Sequence, residues 1–222
     1  MASTLALIGG AEWTDRCSFD RELLERSTSG RVTILPTARA YERPNLATDQ
    51  ASQWLGSLGA DVEVCNVLNR TDAFDARWVD MAAAADFVYV SGGSPMHLRS
   101  VLKDSPVWDA VMAAHRTGAV LAGAAEGATV LCSHMVDSRG GAFTLGLEEL
   151  TDISVVPRFN TWSEDKWHRT LRLAPAGLAL LGVDEATAVV WDGQRWASVG
   201  AGSSVVYIDG QKRDLADLSA WL

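Results

Sequence analysis

The stretch Ala119-Val-Leu-Ala-Gly-Ala-Ala-Glu-Gly-Ala-Thr-Val-Leu131 limits the possible folds more than any other. A short apolar run, read as a buried strand, meets a cluster of small residues and then an apolar pattern of helical spacing. A strand that turns sharply into a helix needs small neighbours, because backbone lies close to backbone there. Such a turn has the shape of a nucleophile elbow, whose apex lifts one side chain out of the sheet at a helix N-terminus. Here the apex is Ala125, and a methyl group attacks nothing.

The chain before this turn alternates strand and helix signals. Strands are read at Thr4–Ile8, Arg31–Pro36, Asp61–Val67 and Asp86–Ser91, and helices at Phe19–Arg26, Asn45–Leu58, Asp75–Ala85 and Ser105–Arg116. Alternation of this kind implies an α/β fold with a doubly wound, mostly parallel sheet and right-handed crossovers. After Leu131 the rhythm changes to short strands at Gly140–Leu145, Ile153–Val156, Leu178–Val183, Ala188–Trp191, Trp196–Val199 and Ser204–Ile208, with turns at Asp192-Gly193 and Asp209-Gly210. A helix is read at Asp165–Leu173. This β-rich part completes the sheet or adds a small antiparallel one. Residues 1–222 read as a single domain, with no internal repeat or linker.

A net charge of −9 argues against nucleic acid or an anionic membrane as partner, since both need a basic footprint. The N-terminus lacks a basic region and runs straight into a strand, unlike a signal peptide. Three widely spaced cysteines, Cys17, Cys65 and Cys132, suggest reduced thiols in a cytoplasmic protein. Neither they nor the four histidines form a metal-ligand pattern, so neither metal nor cofactor is expected. Nine tryptophans are many for 222 residues; most read as packing residues, some as walls of an aromatic pocket.

With these segments in place, the sequence resembles peptidase family S51 (dipeptidase E and cyanophycinase), a branch of the class I glutamine amidotransferase-like fold. The landmarks are Ile8-Gly9-Gly10, Ile34-Leu-Pro-Thr-Ala38, Val90-Ser-Gly-Gly93, the elbow, Val156-Pro-Arg-Phe159 and Gly182-Val-Asp-Glu-Ala-Thr-Ala188. The family elbow reads Gly-x-Ser-Ala-Gly-Ala, which places Ala125 at the serine and Glu126 at the next alanine. The family histidine lies in a Pro-His-Phe-like stretch; this chain has Pro157-Arg158-Phe159. An arginine stays protonated and cannot act as an imidazole-type base. The resemblance places the family's acidic residue at Glu185 and its oxyanion-hole amides at Gly92-Gly93.

Glu126, in the first turn of the elbow helix, reads as a general base or cation stabiliser, or as the partner of Arg158 in a structural ion pair. Ser94 reads as a helix cap or a ligand contact, and His97 as a helix-start residue or a substrate neighbour. Glu12 and Trp13 follow the first strand, where ligands of doubly wound sheets bind. Trp162 is a candidate pocket wall or an ordinary loop residue. Cys132 and His134 read as packing residues on the elbow helix, and His115 as a surface residue. Three functions fit. One is a repurposed enzyme that runs non-covalent acid–base chemistry on a small molecule with Glu126, Arg158 and Glu185. Another is a catalytically dead homologue that binds a peptide-like ligand or a partner. The third is a peptidase with a relocated nucleophile. The surface permits a homodimer.

Overall fold

The structure is a computed structural model that describes residues 3–137, 139 and 141–221. The first part of the chain runs β1 (Leu5–Ile8), α1 (Phe19–Glu25), β2 (Arg31–Leu35), α2 (Pro44–Ser57), β3 (Asp61–Val64), α3 (Ala76–Ala83), β4 (Phe87–Val90), α4 (Pro95–Leu102), α5 (Pro106–Arg116), β5 (Val120–Ala124) and α6 (Glu126–Thr129). There follow β6 (His134–Val136), β7 (Phe143–Leu145), β8 (Ile153–Pro157), α7 (Glu164–Leu173), β9 (Ala179–Val183), β10 (Thr187–Trp191), β11 (Trp196–Gly200), β12 (Ser204–Ile208) and β13 (Gln211–Arg213).

The large sheet has the order β11-β10-β1-β5-β4-β2-β3. Its five strands from β1 to β3 are parallel, and β10 and β11 extend it antiparallel. Strands covered on both faces carry unbroken apolar runs, as in Leu5-Ala-Leu-Ile8 and Phe87-Val-Tyr-Val90. Alternate residues feed two separate cores. Leu5, Leu7, Val88 and Leu121 pack with Val107, Trp108 and Val111 of α5 on one face. On the other face Ala6, Ile8, Phe87 and Tyr89 meet Phe19 and Leu23 of α1 and Ala51 and Leu55 of α2.

In the β-rich part β10 and β11 complete the large sheet and β6 and β7 pair as a small antiparallel one, while β8, β9, β12 and β13 form a sheet of order β13-β12-β9-β8 that is mixed, since β8 and β9 run parallel. The expected strand from Gly140 begins at Phe143, and Gly140 itself lies outside the described residues.

Three expectations need correction. The elbow helix ends at Thr129 and does not reach Cys132, where the backbone turns away to bridge Cys132 to Leu150. His134 therefore lies on β6, not on that helix. His115 is buried: its Nδ1–H donates to the Ala119 carbonyl at 2.9 Å, and Nε2 accepts from Trp221 Nε1–H at 2.9 Å. Helix α4, whose start was read only through Ser94 and His97, repeats at Ser94-Pro95 the start signal of Ser105-Pro106; in both helices the serine caps and proline takes a first-turn position.

Asp20 of α1 is 0% exposed inside the second core. It accepts from Trp54 Nε1–H at 2.8 Å, and Tyr89 Oη lies 3.5 Å away. Burial pushes its carboxyl from 3.8 up to about 7. A raised carboxyl value means that this group's stability is complete below about pH 3.8 and declines as pH rises toward 7. Asp20→Asn keeps an acceptor for Trp54 without the charge. Urea unfolding should show the variant more stable than wild type by at least about 1 kcal/mol near pH 8, with the gap closing near pH 4.

Candidate functional site

The carboxyl ends of β1, β2, β4 and β5 lie side by side in the large sheet, and the chain leaves each through small residues. At the end of β5, Ala125 holds φ 49° and ψ −112°, a backbone conformation disfavoured for any residue with a Cβ. The turn is enforced from outside. Ala125 N–H donates to the Ile8 carbonyl at 2.8 Å, a Cβ on Gly123 would stand 2.6 Å from the Gly127 oxygen, and one on Gly127 would stand 2.6 Å from the Val90 oxygen. Elbow geometry is therefore present, and its apex is a buried methyl group.

Around that methyl lie four charged side chains from four segments. Glu126 is buried and accepts two hydrogen bonds from Arg158, Nη1–H to Oε1 at 2.5 Å and Nη2–H to Oε2 at 3.1 Å. Its Oε2 also accepts from the Gly93 amide at 3.0 Å. Glu12, beyond β1, repeats the arrangement: Oε1 accepts from the Gly92 amide at 3.3 Å and from Arg39 Nη2–H at 3.3 Å. Each amide of the glycine pair thus faces a carboxylate, and each carboxylate faces a guanidinium. The two-point pairing of Arg158 with Glu126 is the strong form of an arginine–carboxylate contact, whereas Arg39 meets Glu12 through one nitrogen. The hydrogen bonds to Glu126 hold Arg158 even more firmly protonated than usual, and the Glu12 and Glu185 charges act in the same direction against desolvation.

Arg158 arrives from the second sheet. It follows β8 with φ 49° and ψ 41°, and its N–H donates to the Gly9 carbonyl at 2.7 Å, which ties the two sheets together at the site. Helix α6 has only four residues, so the pairing with Arg158 and the Gly93 amide outweighs any macrodipole at Glu126.

Glu126 borders one cavity and Arg158 another. One, of about 410 Å³, is lined by Gly93, Ser94, Glu126, Glu42, Met135 and Asp137 among others. The other, of about 240 Å³, lies against Arg158, Arg39, Glu12, Trp13 and Gln50. Ser94 caps α4, accepting from the His97 N–H at 3.4 Å, and also lines the larger cavity. His97 is turned elsewhere: its ring Nε2 lies 2.8 Å from the Leu68 carbonyl, and Tyr41 meets the ring edge-on. Glu185 exchanges hydrogen bonds with Asn160, whose Nδ2–H donates to Oε2 at 3.3 Å and whose Oδ1 accepts the Glu185 N–H at 2.9 Å. Trp162 packs with Val136 and Trp167, with Lys166 Nζ 3.7 Å over its ring.

Glu12, Gly92, Gly93, Ser94, Ala125, Glu126 and Arg158 therefore come together, while His97, Glu185 and Trp162 serve their own neighbours. Arg39 was missed; it lies on the turn after β2, at the same sheet edge that pointed to Glu12. Among the described residues, no three His, Cys, Asp or Glu side chains converge in a way that could hold a metal ion. No helix there is long and apolar enough to cross a membrane.

The sequence model of peptidase family S51 matches residues 5–199. This chain belongs to peptidase family S51. Among S51-like relatives, the cyanophycinase of Geminocystis herdmanii (strain PCC 6308) is 25% identical over 95% of this chain and 82% of that protein. The cyanophycinase of Nostoc sp. (strain PCC 7120) is 26% identical over 93% of this chain and 74% of that protein. The crystal structure of a peptidase from an acI-B1 actinobacterium superposes with a TM-score of 0.86 at 27% identity, covering 100% of this chain and 98% of the other. A putative peptidase E from Listeria monocytogenes EGD-e has a TM-score of 0.69 at 17% identity over 91% of this chain and 100% of the other, a likeness of fold.

Proposed function

We propose that this S51 member binds a peptide-like ligand and does not hydrolyse it through a serine and a histidine. The observation that carries this reading is the position of Glu126: its carboxylate accepts the Gly93 amide and is clamped by Arg158. An oxyanion hole acts by aiming free donors at a developing negative charge. Here that donor already holds a full negative charge, and a substrate oxyanion would have to displace it. The methyl of Ala125 supplies no nucleophile, and Arg158 supplies no base. The ligand's place is the cavity of about 410 Å³ beside Gly93 and Ser94, within the range of small-molecule sites.

The test incubates the protein with cyanophycin, the polymer in its relatives' names, and with a dipeptide set, and also with a fluorophosphonate that labels activated serines. Dipeptides are expected to raise the thermal midpoint without product or adduct. Released product above the blank would overturn the reading. One observation favours a second reading, non-covalent acid–base chemistry: Glu126 lines that cavity while it pairs with Arg158. Turnover of a metabolite that disappears in Glu126→Gln would establish it.

A further inference from the structure

We infer that residues 214–221 form a strap that is docked while His115 is neutral and released when His115 is protonated. The strap follows β13 and lies against the core that α5 covers. Leu218 is buried in that core, and Leu215 and Trp221 pack on its edge. Between the end of the strap and the loop before β8 lies a cavity of about 290 Å³, lined by Glu149, Asp152, Ser219 and Trp221 among others.

Two indole groups fasten the end of the strap. Trp196 Nε1–H donates to the Ser219 carbonyl at 2.9 Å, and Trp221 Nε1–H donates to His115 Nε2 at 2.9 Å. Among the described residues, 219–221 belong to no strand or helix and make no hydrogen bond between backbone groups. The histidine contact is thus one of two polar ties on this segment.

That tie exists in one protonation state. The Ala119 carbonyl only accepts, so Nδ1 of the buried ring, 2.9 Å away, carries the hydrogen. An indole N–H only donates, so Nε2 must be bare. The two neighbours together fix the neutral Nδ1–H tautomer. Protonation would set a second N–H on Nε2 against the indole N–H, leaving two donors face to face in a buried place. Withdrawal of Trp221 relieves this and lets water accept from both.

Burial pushes the imidazole below its ordinary 6.5, against the upward pull of the Ala119 hydrogen bond. The elements around it carry Arg77 and Asp80 on α3, Glu149 and Asp152 before β8, and Asp214 and Asp217 in the strap. Of these charges and that of Arg116, its neighbour on α5, Arg116 acts on the ring, and it too disfavours a further positive charge. A histidine value lowered by folding means that docking is complete above about 6.5 and is lost as pH falls through the folded value.

The experiment follows uniformly ¹⁵N-labelled protein by NMR from about pH 8 to about pH 4.5. The His115 imidazole signals are assigned through His115→Gln, and the Trp221 indole signal through Trp221→Phe. Near pH 8 the imidazole should show the Nδ1–H tautomer. On acidification the His115 nitrogens and the Trp221 indole should change with one shared midpoint. The Ser219 and Ala220 amides should then reach the low ¹H–¹⁵N NOE of a mobile chain, while the amides of β4 and β5 report that the fold persists. Trp221→Phe should raise the His115 midpoint by at least about half a pH unit, because the neutral ring loses the hydrogen bond that favours it. In His115→Gln the side-chain oxygen accepts the indole N–H at any of these pH values, so the strap should stay docked near pH 5. Strap signals that hold still while His115 titrates would overturn the proposal. So would a His115 that stays neutral down to about pH 4.5, or a folded His115→Gln that releases the strap at the wild-type midpoint.

Discussion

Replacing Arg158 with alanine is expected to cost about 2–4 kcal/mol of folding stability, because it strands a buried carboxylate. The Glu126 side chain is 9% exposed, and without Arg158 its remaining hydrogen bond comes from the Gly93 amide. A second carboxylate is close: a Cβ built on Gly92 would lie 3.2 Å from both Glu12 Oε1 and Glu126 Oε2. The Arg158 side chain is itself 35% exposed, which places the cost below that of a fully enclosed pair. Urea unfolding of Arg158→Ala, Glu126→Gln and the double variant near pH 7 checks this. Arg158→Ala should be the least stable, and adding Glu126→Gln should recover most of the loss, since it removes the stranded charge. A single-variant loss below about 0.5 kcal/mol would mean that water replaces the arginine without penalty and that the pair holds nothing together.

Rebuilding the elbow chemistry should change reactivity by orders of magnitude. In Ala125→Ser/Glu126→Ala/Arg158→His, a hydroxyl stands at the apex, the Gly93 amide is freed, and an imidazole replaces the guanidinium. Fluorophosphonate labelling is expected on the order of 10²–10³-fold faster than in Ala125→Ser alone, since nucleophile, base and oxyanion donor act as a unit. Equal labelling of the single and triple variants would show that Glu126 and Arg158 do not silence the site. Mass spectrometry of the intact protein counts the adducts.

Much of this architecture was legible in the chain. The runs Leu5–Ile8, Phe87–Val90 and Val120–Ala124 are apolar without interruption because helices cover both sheet faces, and that pattern is local. The close approaches at Gly123 and Gly127 were legible for the same reason, since only small residues fit them. Pairings made across the fold were not. Nothing near Glu185 marks Asn160 as its partner, and nothing near His97 points to the Leu68 carbonyl, because those contacts are set by loops distant in sequence. Arg39 had a readable signal, its place just beyond a parallel strand, but no periodicity separates it from a surface arginine. The Glu126–Arg158 pairing could be anticipated because two uncommon charges fall on two landmarks. Which amide the carboxylate would take was settled by the turn at Gly93, whose φ of 140° brings its N–H toward Glu126.

The strand order sets a timetable for folding. β1 lies between β5 and β10, so one side of it pairs with residues 121–124 and the other with residues 188–191. During synthesis β1 must therefore wait for more than a hundred residues to find one neighbour and for nearly two hundred to find the other. Contacts of such long range slow folding, since loop entropy is lost before pairing returns any stability. Until β10 emerges, β1 keeps an open, apolar edge of the kind that recruits strands from other chains. Gly9 and Glu12 follow directly on that strand, so the pocket takes shape only as β10 closes onto β1.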